Sequence, residues 1–238
     1  MKLLVSVVDA DEAFVAAAAG ADIVDVKNPA EGSLGAPAPA VIAAVRAAVP
    51  AALPVSAAIG DMPNLPGTAA LAALGAARSG ATFVKVGLFG VTTEPDAVAL
   101  LRAVREAVPG TEVVAAAYAD AARVPDAPIA PVLLPRVARS AGVKACLLDT
   151  AIKDGCGLLE WLSPATLTAL VAEAHAAGLE VALAGALRAQ DLSVIRATGA
   201  DIAGVRSAAC HDDRRTGSLD AERVRALRRY ATAGVSVS

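Results

Sequence analysis

Hydrophobic and polar positions follow one order in five segments of the chain: a stretch rich in small residues, a glycine, and then an apolar run. These segments are residues 16–27, 76–87, 137–149, 172–185 and 194–207. Glycine commonly ends a helix because it adopts the left-handed backbone conformation without steric cost. Apolar runs rich in Val, Ile and Leu are typical of buried strands. Each segment therefore predicts a helix end followed by a strand, and apolar runs at 2–8, 53–59 and 111–118 bring the predicted strands to eight.

Helical patterns lie between the predicted strands, at about 10–19, 38–49, 67–79, 95–107, 131–141, 164–177, 189–198 and 220–231. Strands that alternate with helices favour an α/β fold with parallel strands. Eight such units predict a (β/α)8 TIM barrel. The alternative is an open doubly wound sheet, but no GxGxxG motif follows the first strand. No linker or change in composition divides the chain, so we expect a single domain over residues 1–238.

Composition and charge exclude several classes of partner. The net charge of −3 offers no basic surface for nucleic acid or an anionic membrane. Three cysteines without a CxxC pair indicate a reduced, cytoplasmic protein, and no apolar segment has the length of a membrane span. The chain has no HExxH motif and no Cys/His cluster, so we expect no metal and no cofactor.

The ends of the predicted strands carry an unusual set of charges. In a parallel barrel the active site is built where the strands end. Three of the five lysines fall there, Lys27, Lys85 and Lys153, together with Asp149. Lysine can lose its proton when it is buried or lies near another cation, and arginine cannot. The set fits either anchors for an anionic substrate or a lysine that forms a Schiff base.

Other polar residues at the same ends are candidates for substrate or phosphate binding: Asp25, Asn28, Gly185, Ala186, Arg206 and Ser207. Asp25 points to the same side of its strand as Lys27 and is either its partner or a buried carboxylate of the rim. The last four follow the seventh and eighth strands, where barrels commonly bind phosphate. For Arg206 the alternative to a phosphate contact is a structural arginine in a tight turn. Asp61, after the third strand, is expected to cap a loop.

Four motifs carry a resemblance to a known family: "DVKNPAEGSLGA" (25–36), "FVKVGL" (83–88), "LLDTAIKDG" (147–155) and "GVRSAAC" (204–210). They resemble the (5-formylfuran-3-yl)methyl phosphate synthase family, also called 4-(hydroxymethyl)-2-furancarboxaldehyde-phosphate synthase. The resemblance implies a class I aldolase-like barrel that works without a metal. It also implies a carbon–oxygen lyase acting on phosphates, which makes the furan precursor of methanofuran from two molecules of glyceraldehyde 3-phosphate.

The resemblance also implies roles for particular residues. Lys27 would form the Schiff base and Lys85 would act as general base, while Asp149 and Lys153 match further site positions of the family. The family has another lysine after the fifth strand, whereas this chain reads "YADAAR" (118–123) and has none. That role is either absent or falls to Tyr118 or another group.

Two other functions stay open from the residues alone. One is a different lysine-dependent phosphosugar aldolase or isomerase, and the other is a barrel that binds a phosphorylated ligand without catalysis. Triose phosphates are the expected small-molecule partners, and we expect the chain to form a homo-oligomer.

Overall fold

The structure is a computed structural model in which residues 1–232 are described. Residues 233–238, which the single-domain prediction includes, lie outside the described part. Eight parallel strands close into a barrel in sequence order, with β8 pairing back onto β1. The strands are β1 Lys2–Val7, β2 Ile23–Val26, β3 Val55–Pro63, β4 Phe83–Gly90, β5 Glu112–Tyr118, β6 Ala145–Asp149, β7 Glu180–Leu183 and β8 Ile202–Val205. The predicted (β/α)8 barrel is confirmed, and the open doubly wound sheet is excluded.

Helices follow the strands and cover the outside of the barrel. They are α1 Ala10–Ala18, α2 Pro39–Ala48, α3 Pro66–Arg78, α4 Glu94–Ala107, α5 Leu134–Ala141, α6 Leu158–Trp161, α7 Pro164–Ala176, α8 Asp191–Ala197 and α9 Ala221–Thr232. The five glycines of the recurring pattern all have positive φ, which confirms that they end helices: Gly20, Gly80, Gly142, Gly178 and Gly199. None of the helices in residues 1–232 combines the length and the apolar character needed to cross a membrane.

Two helical segments differ from the sequence prediction. The helix predicted over 131–141 begins with a 3₁₀ turn at Pro131–Leu133 and becomes α-helical only from Leu134. Pro135 has no N–H to donate to the carbonyl of residue 131, so an α-helical hydrogen bond cannot form there. The short helix α6 lies in a connection where no helix was predicted. Four residues are too few to show a helical hydrophobic period.

The barrel interior holds a cavity that is lined by residues of all eight strands. Strand side chains alternate between the outer layer, where large apolar groups pack beneath the helices, and the inner layer. Barrels usually fill their interior with bulky branched residues. Here small side chains at Ser6, Ser56, Ala182 and Gly204 leave a cavity of about 260 Å³ below the strand ends.

The loop after β2, residues 28–36, folds over the mouth of the barrel. Leu34 is fully buried and packs with the inner apolar layer. The loop closes on itself through a hydrogen bond from Asn28 N–H to the Gly35 carbonyl, 2.9 Å. A Cβ at Gly35 would lie 2.1 Å from the Asn28 oxygen, so only glycine fits this closure. The glycines of the sequence motif therefore give a compact loop that caps the barrel beside Lys27.

Candidate active site

The cavity brings together the charged residues that the sequence placed at the strand ends. Lys27 directly follows β2, Lys85 lies within β4, and Asp149 ends β6, with Lys153 four residues further along. All four side chains line the cavity, as does Asp25. Four catalytic candidates from three separate strands and their loops therefore converge on one enclosed space.

Lys27 is the most unusual group in the cavity. Its side chain is only 7% exposed. Burial is the main cause that lowers the pKa of Lys27 from 10.5 to about 8. The Asp149 and Asp25 carboxylates oppose the change, while the Lys153 and Lys85 ammonium groups add to it. A substantial fraction of this amine is therefore neutral near pH 8, which is the form that attacks a carbonyl.

Asp25 is the partner of Lys85 and not of Lys27. Asp25 Oδ1 lies 2.6 Å from Lys85 Nζ, in a buried ion pair. Asp25 Oδ2 accepts a hydrogen bond from Ser6 Oγ, 2.9 Å. The pair reaches across β3, where Ser56 is in register with Asp25 and Ala58 with Lys85. These small side chains leave room for the contact.

A second ion pair lies on the β6 side of Lys27. Lys153 Nζ donates to Asp149 Oδ1 at 2.7 Å and to Thr150 Oγ1 at 3.1 Å. Burial alone would raise the pKa of Asp149. The positive charges of Lys153 and Lys27, with hydrogen bonds from Lys153 and the Thr150 N–H, instead bring it down to about 2. Asp149 is therefore a carboxylate at neutral pH and lies between two lysines.

Two further acids hold the loops that shape the site. Asp120 is buried and accepts hydrogen bonds from the N–H groups of Ala151 and Ile152, which fixes the loop that carries Lys153. Asp61 accepts from the N–H groups of Ser33 and Leu34, so the expected loop-capping role is confirmed. The capped loop is the one after β2, and Asp61 itself lies within β3 and not after it as the sequence predicted.

Tyr118, which was one candidate for the role of the missing family lysine, lies outside the cavity. It is fully buried, and its hydroxyl donates a hydrogen bond to Asp61. Burial and the Asp61 carboxylate raise the pKa of Tyr118 well above 10. Its side chain is not among those lining the cavity. The tyrosine instead supports the loop that Asp61 holds.

The four residues expected to bind phosphate in the loops after β7 and β8 all line the cavity: Gly185, Ala186, Arg206 and Ser207. Gly185 has a φ of 107°, and a Cβ there would approach the backbone of Thr150 to 3.1 Å. The turn after β7 therefore depends on glycine at this position. The short side chains leave the backbone of both loops open to the cavity.

Arg206 corrects the sequence prediction. It is buried, and its guanidinium forms an ion pair with Glu12 of α1. Its remaining hydrogen bonds go to the carbonyls of Ser6, Arg215 and Gly217. With all of its nitrogens engaged, the arginine ties the loop after β8 to β1 and has no donor left for phosphate. Arg206 therefore lines the cavity, but its contacts favour the structural alternative.

Asn28, for which a substrate contact was expected, caps a turn in this structure. Its side chain accepts from the Ala30 N–H and donates to Glu31, which caps the 3₁₀ turn at Pro29–Glu31. It does not line the cavity. An asparagine followed by a proline commonly begins a turn, and its side chain then caps that turn.

Arg215 is a cavity residue that the sequence did not identify. It lies in the loop between β8 and α9 and is half-buried at the mouth. Burial lowers its pKa, while the carboxylates of Asp149 and Asp61 oppose that change. The "HDDRRTG" stretch that carries it mixes both charge signs and has no hydrophobic period, so nothing in the sequence distinguishes Arg215 from its neighbours.

The chain resembles known proteins over nearly its whole length. The family model of 4-HFC-P synthase matches residues 3–228. The (5-formylfuran-3-yl)methyl phosphate synthase of Methanocaldococcus jannaschii is 49% identical over 233 residues, which is 96% of this chain and 98% of that protein. The protein of the same name from Methanopyrus kandleri is 48% identical over 231 residues, covering 95% of this chain and 97% of the relative.

Solved structures resemble the chain in fold alone. The 3-hexulose-6-phosphate synthase structure superposes with a TM-score of 0.60 at 22% identity, covering 95% of this chain and 99% of that one. KGPDC from Streptococcus mutans gives a TM-score of 0.63 at 15% identity, covering 97% of this chain and 96% of that one. With the near-complete match to its model and the high identity to its members, the chain belongs to the 4-HFC-P synthase family.

Proposed function

We propose that this enzyme condenses two molecules of glyceraldehyde 3-phosphate into (5-formylfuran-3-yl)methyl phosphate, for methanofuran biosynthesis, through a Schiff base on Lys27. The overall change releases one phosphate and two water molecules. The observation that carries the proposal is a buried lysine with a pKa lowered to about 8, in a cavity lined by further cations. The names of the relatives support the product.

The Schiff base would make the neighbouring carbon of the first triose acidic. The protonated imine draws electrons from that carbon, and Lys85 would then accept its proton. Asp25 Oδ1, 2.6 Å from Lys85 Nζ, would hold this amine in place at the wall of the cavity. The resulting enamine would attack the aldehyde of the second triose.

The Asp149–Lys153 pair would serve the later steps. The Lys153 ammonium, held by Asp149, is a proton donor beside Lys27, and a departing hydroxyl or phosphate needs such a donor. Asp149 would also stabilise the positive charge of the imine. The open backbone of Gly185, Ala186 and Ser207 would bind one phosphate group.

We further propose self-association, as the sequence analysis expected. Large apolar side chains are exposed on α1 and α3, among them Phe14 and Leu71. Contact with a second copy of the chain would remove these side chains from water.

The function is tested by incubating the enzyme with glyceraldehyde 3-phosphate and measuring phosphate release and the furan aldehyde absorbance together. Borohydride added during turnover should fix the triose on Lys27, which mass mapping would locate. An aldolase or isomerase of another kind would give no furan, and a binding barrel would give saturable binding without phosphate release. A label on any lysine other than Lys27 contradicts the proposed intermediate.

The pH dependence of kcat/KM should follow the Lys27 amine. Its pKa of about 8 means that the fraction of neutral amine falls about tenfold per pH unit below roughly pH 7. Because kcat/KM reports ionisations of the free enzyme, it should rise with pH and level off above about pH 8. The measurement is a pH profile of furan formation at low substrate concentration.

The control for this profile is Lys2→Ala, because Lys2 is exposed and lies at the opposite end of β1. This variant should reproduce the wild-type profile. A wild-type kcat/KM that stays constant between pH 6 and 8 would show that Lys27 is not the group whose deprotonation starts the reaction.

A further inference from the structure

Arg215 joins two loops over the mouth of the cavity. It lies in the loop after β8, and its Nη2 donates to two carbonyls of the loop after β2, Gly32 at 2.9 Å and Pro29 at 3.3 Å. Neighbouring Arg214 is exposed. One of two adjacent arginines therefore points into the site while the other points to solvent.

The backbone of Arg215 is held from below by the buried Arg206. The Nε of Arg206 donates to the Arg215 carbonyl at 2.8 Å, and its Nη2 donates to the Gly217 carbonyl at 2.9 Å. Glu12 fixes Arg206 in turn through their ion pair. A guanidinium attached to so well supported a segment is pre-organised for a ligand.

Carboxylates near the mouth are already engaged by other groups. Asp149 is paired with Lys153, and Asp25 with Lys85. Asp61 accepts from two backbone N–H groups and from Tyr118. In the part of the chain that is described, no carboxylate lies within ion-pair distance of Arg215, and its Nε and Nη1 donate to no protein group. The guanidinium thus keeps donors and a positive charge at the entrance of a cavity.

We propose that the Arg215 side chain binds the phosphate monoester of a triose at this mouth, as a second anion site beside the backbone of Gly185, Ala186 and Ser207. The planar guanidinium presents paired N–H donors that match two phosphate oxygens. Two phosphorylated substrates in one reaction require two such sites, so the inference rests on the proposed function. It assigns to Arg215 the selection of phosphorylated over free trioses.

The test compares Arg215→Gln and Arg215→Lys with the matched control Arg214→Gln. Loss of a charged hydrogen-bond donor is expected to lower kcat/KM for glyceraldehyde 3-phosphate by about 10- to 100-fold in Arg215→Gln. Arg215→Lys should recover part of the loss, and Arg214→Gln should match wild type. Trapping of unphosphorylated glyceraldehyde on Lys27 should proceed at the wild-type rate in all variants.

Unphosphorylated glyceraldehyde distinguishes a role of Arg215 in phosphate binding from a role in holding the two loops together. If Arg215 only held the two loops together, Arg215→Gln would slow trapping of both aldehydes equally, and that result overturns the proposal. Equal losses in Arg214→Gln and Arg215→Gln would overturn it as well, because they would reflect the charge of the loop and not one site.

Calorimetric titration with glycerol 3-phosphate tests phosphate binding at Arg215 independently of the proposed reaction. This ligand carries the phosphate but no carbonyl, so it cannot react with Lys27. Binding should drop from two equivalents per chain in wild type to one in Arg215→Gln. If wild type forms no furan yet shows this drop, the proposed reaction fails and the Arg215 site stands. An unchanged stoichiometry and affinity in Arg215→Gln removes the site, whatever the reaction.

Discussion

Lys27→Arg is expected to abolish furan formation, with kcat/KM falling by at least about 1000-fold. Arginine keeps the positive charge but cannot be deprotonated, so it cannot attack a carbonyl. Borohydride should then fix no triose on the protein. The assay is phosphate release and furan absorbance beside wild type, with Lys2→Arg as a control that changes an exposed lysine to the same residue. Furan formation at the wild-type rate in Lys27→Arg would end the Schiff-base proposal.

The buried Lys27 is expected to lower the free energy of unfolding, so Lys27→Met should stabilise the protein. Between pH 8 and 10.5 the unfolded chain holds a proton on this amine that the folded chain has released. The free energy of unfolding therefore rises with pH across that window, and below pH 8 the lysine disfavours the folded state by up to roughly 3 kcal/mol. At pH 7 the methionine variant should unfold at higher urea concentration than wild type. A variant less stable than wild type would contradict the lowered pKa.

Lys85→Met is expected to separate imine formation from the later steps. Furan formation should fall by at least about 100-fold because the general base is lost, whereas borohydride should still fix a triose on Lys27. The change also leaves the buried Asp25 carboxylate without its cation, which should destabilise the protein by about 3–5 kcal/mol. Urea denaturation and the trapping experiment measure the two effects independently.

The double variant Asp25→Asn with Lys85→Met serves as the control for stability. Because it removes both charges of the buried pair, it should recover most of the lost stability and none of the activity. A double variant no more stable than Lys85→Met would show that the ion pair is not what the single change disrupts. Full activity in Lys85→Met would remove the general-base role.

The order of strands and helices could be predicted from the sequence because the signals for it are local. Each glycine that ends a helix is followed directly by its apolar strand, and eight such units have few topologies available. The 3₁₀ turn at Pro131–Leu133 was missed because the hydrophobic period does not distinguish it from the α-helix that follows. Helix α6 was missed because four residues are too few to show a period.

The ion pairs within the site could not be predicted from the sequence. Asp25 is two residues from Lys27 in sequence but contacts Lys85, which is two strands away. That choice depends on the small side chains of Ser56 and Ala58 on the strand between them. Likewise, Arg206 and Arg215 both line the cavity and are equivalent in chemistry. The contacts of Arg206 with Glu12 and three carbonyls make it structural, whereas Arg215 keeps donors at the mouth.

The sequence by itself determined the closed barrel and the grouping of Lys27, Lys85, Asp149 and Lys153 around its cavity. Those features follow from local conformation and from the parallel direction of the strands, which carries every strand end to the same face. The tertiary structure alone decided which of these lysines has no ion pair within residues 1–232, which acids hold loops, and which arginine lies at the mouth of the cavity. Such outcomes depend on burial and on distances of a few ångströms between residues far apart in the chain, and these exist only once the barrel has closed.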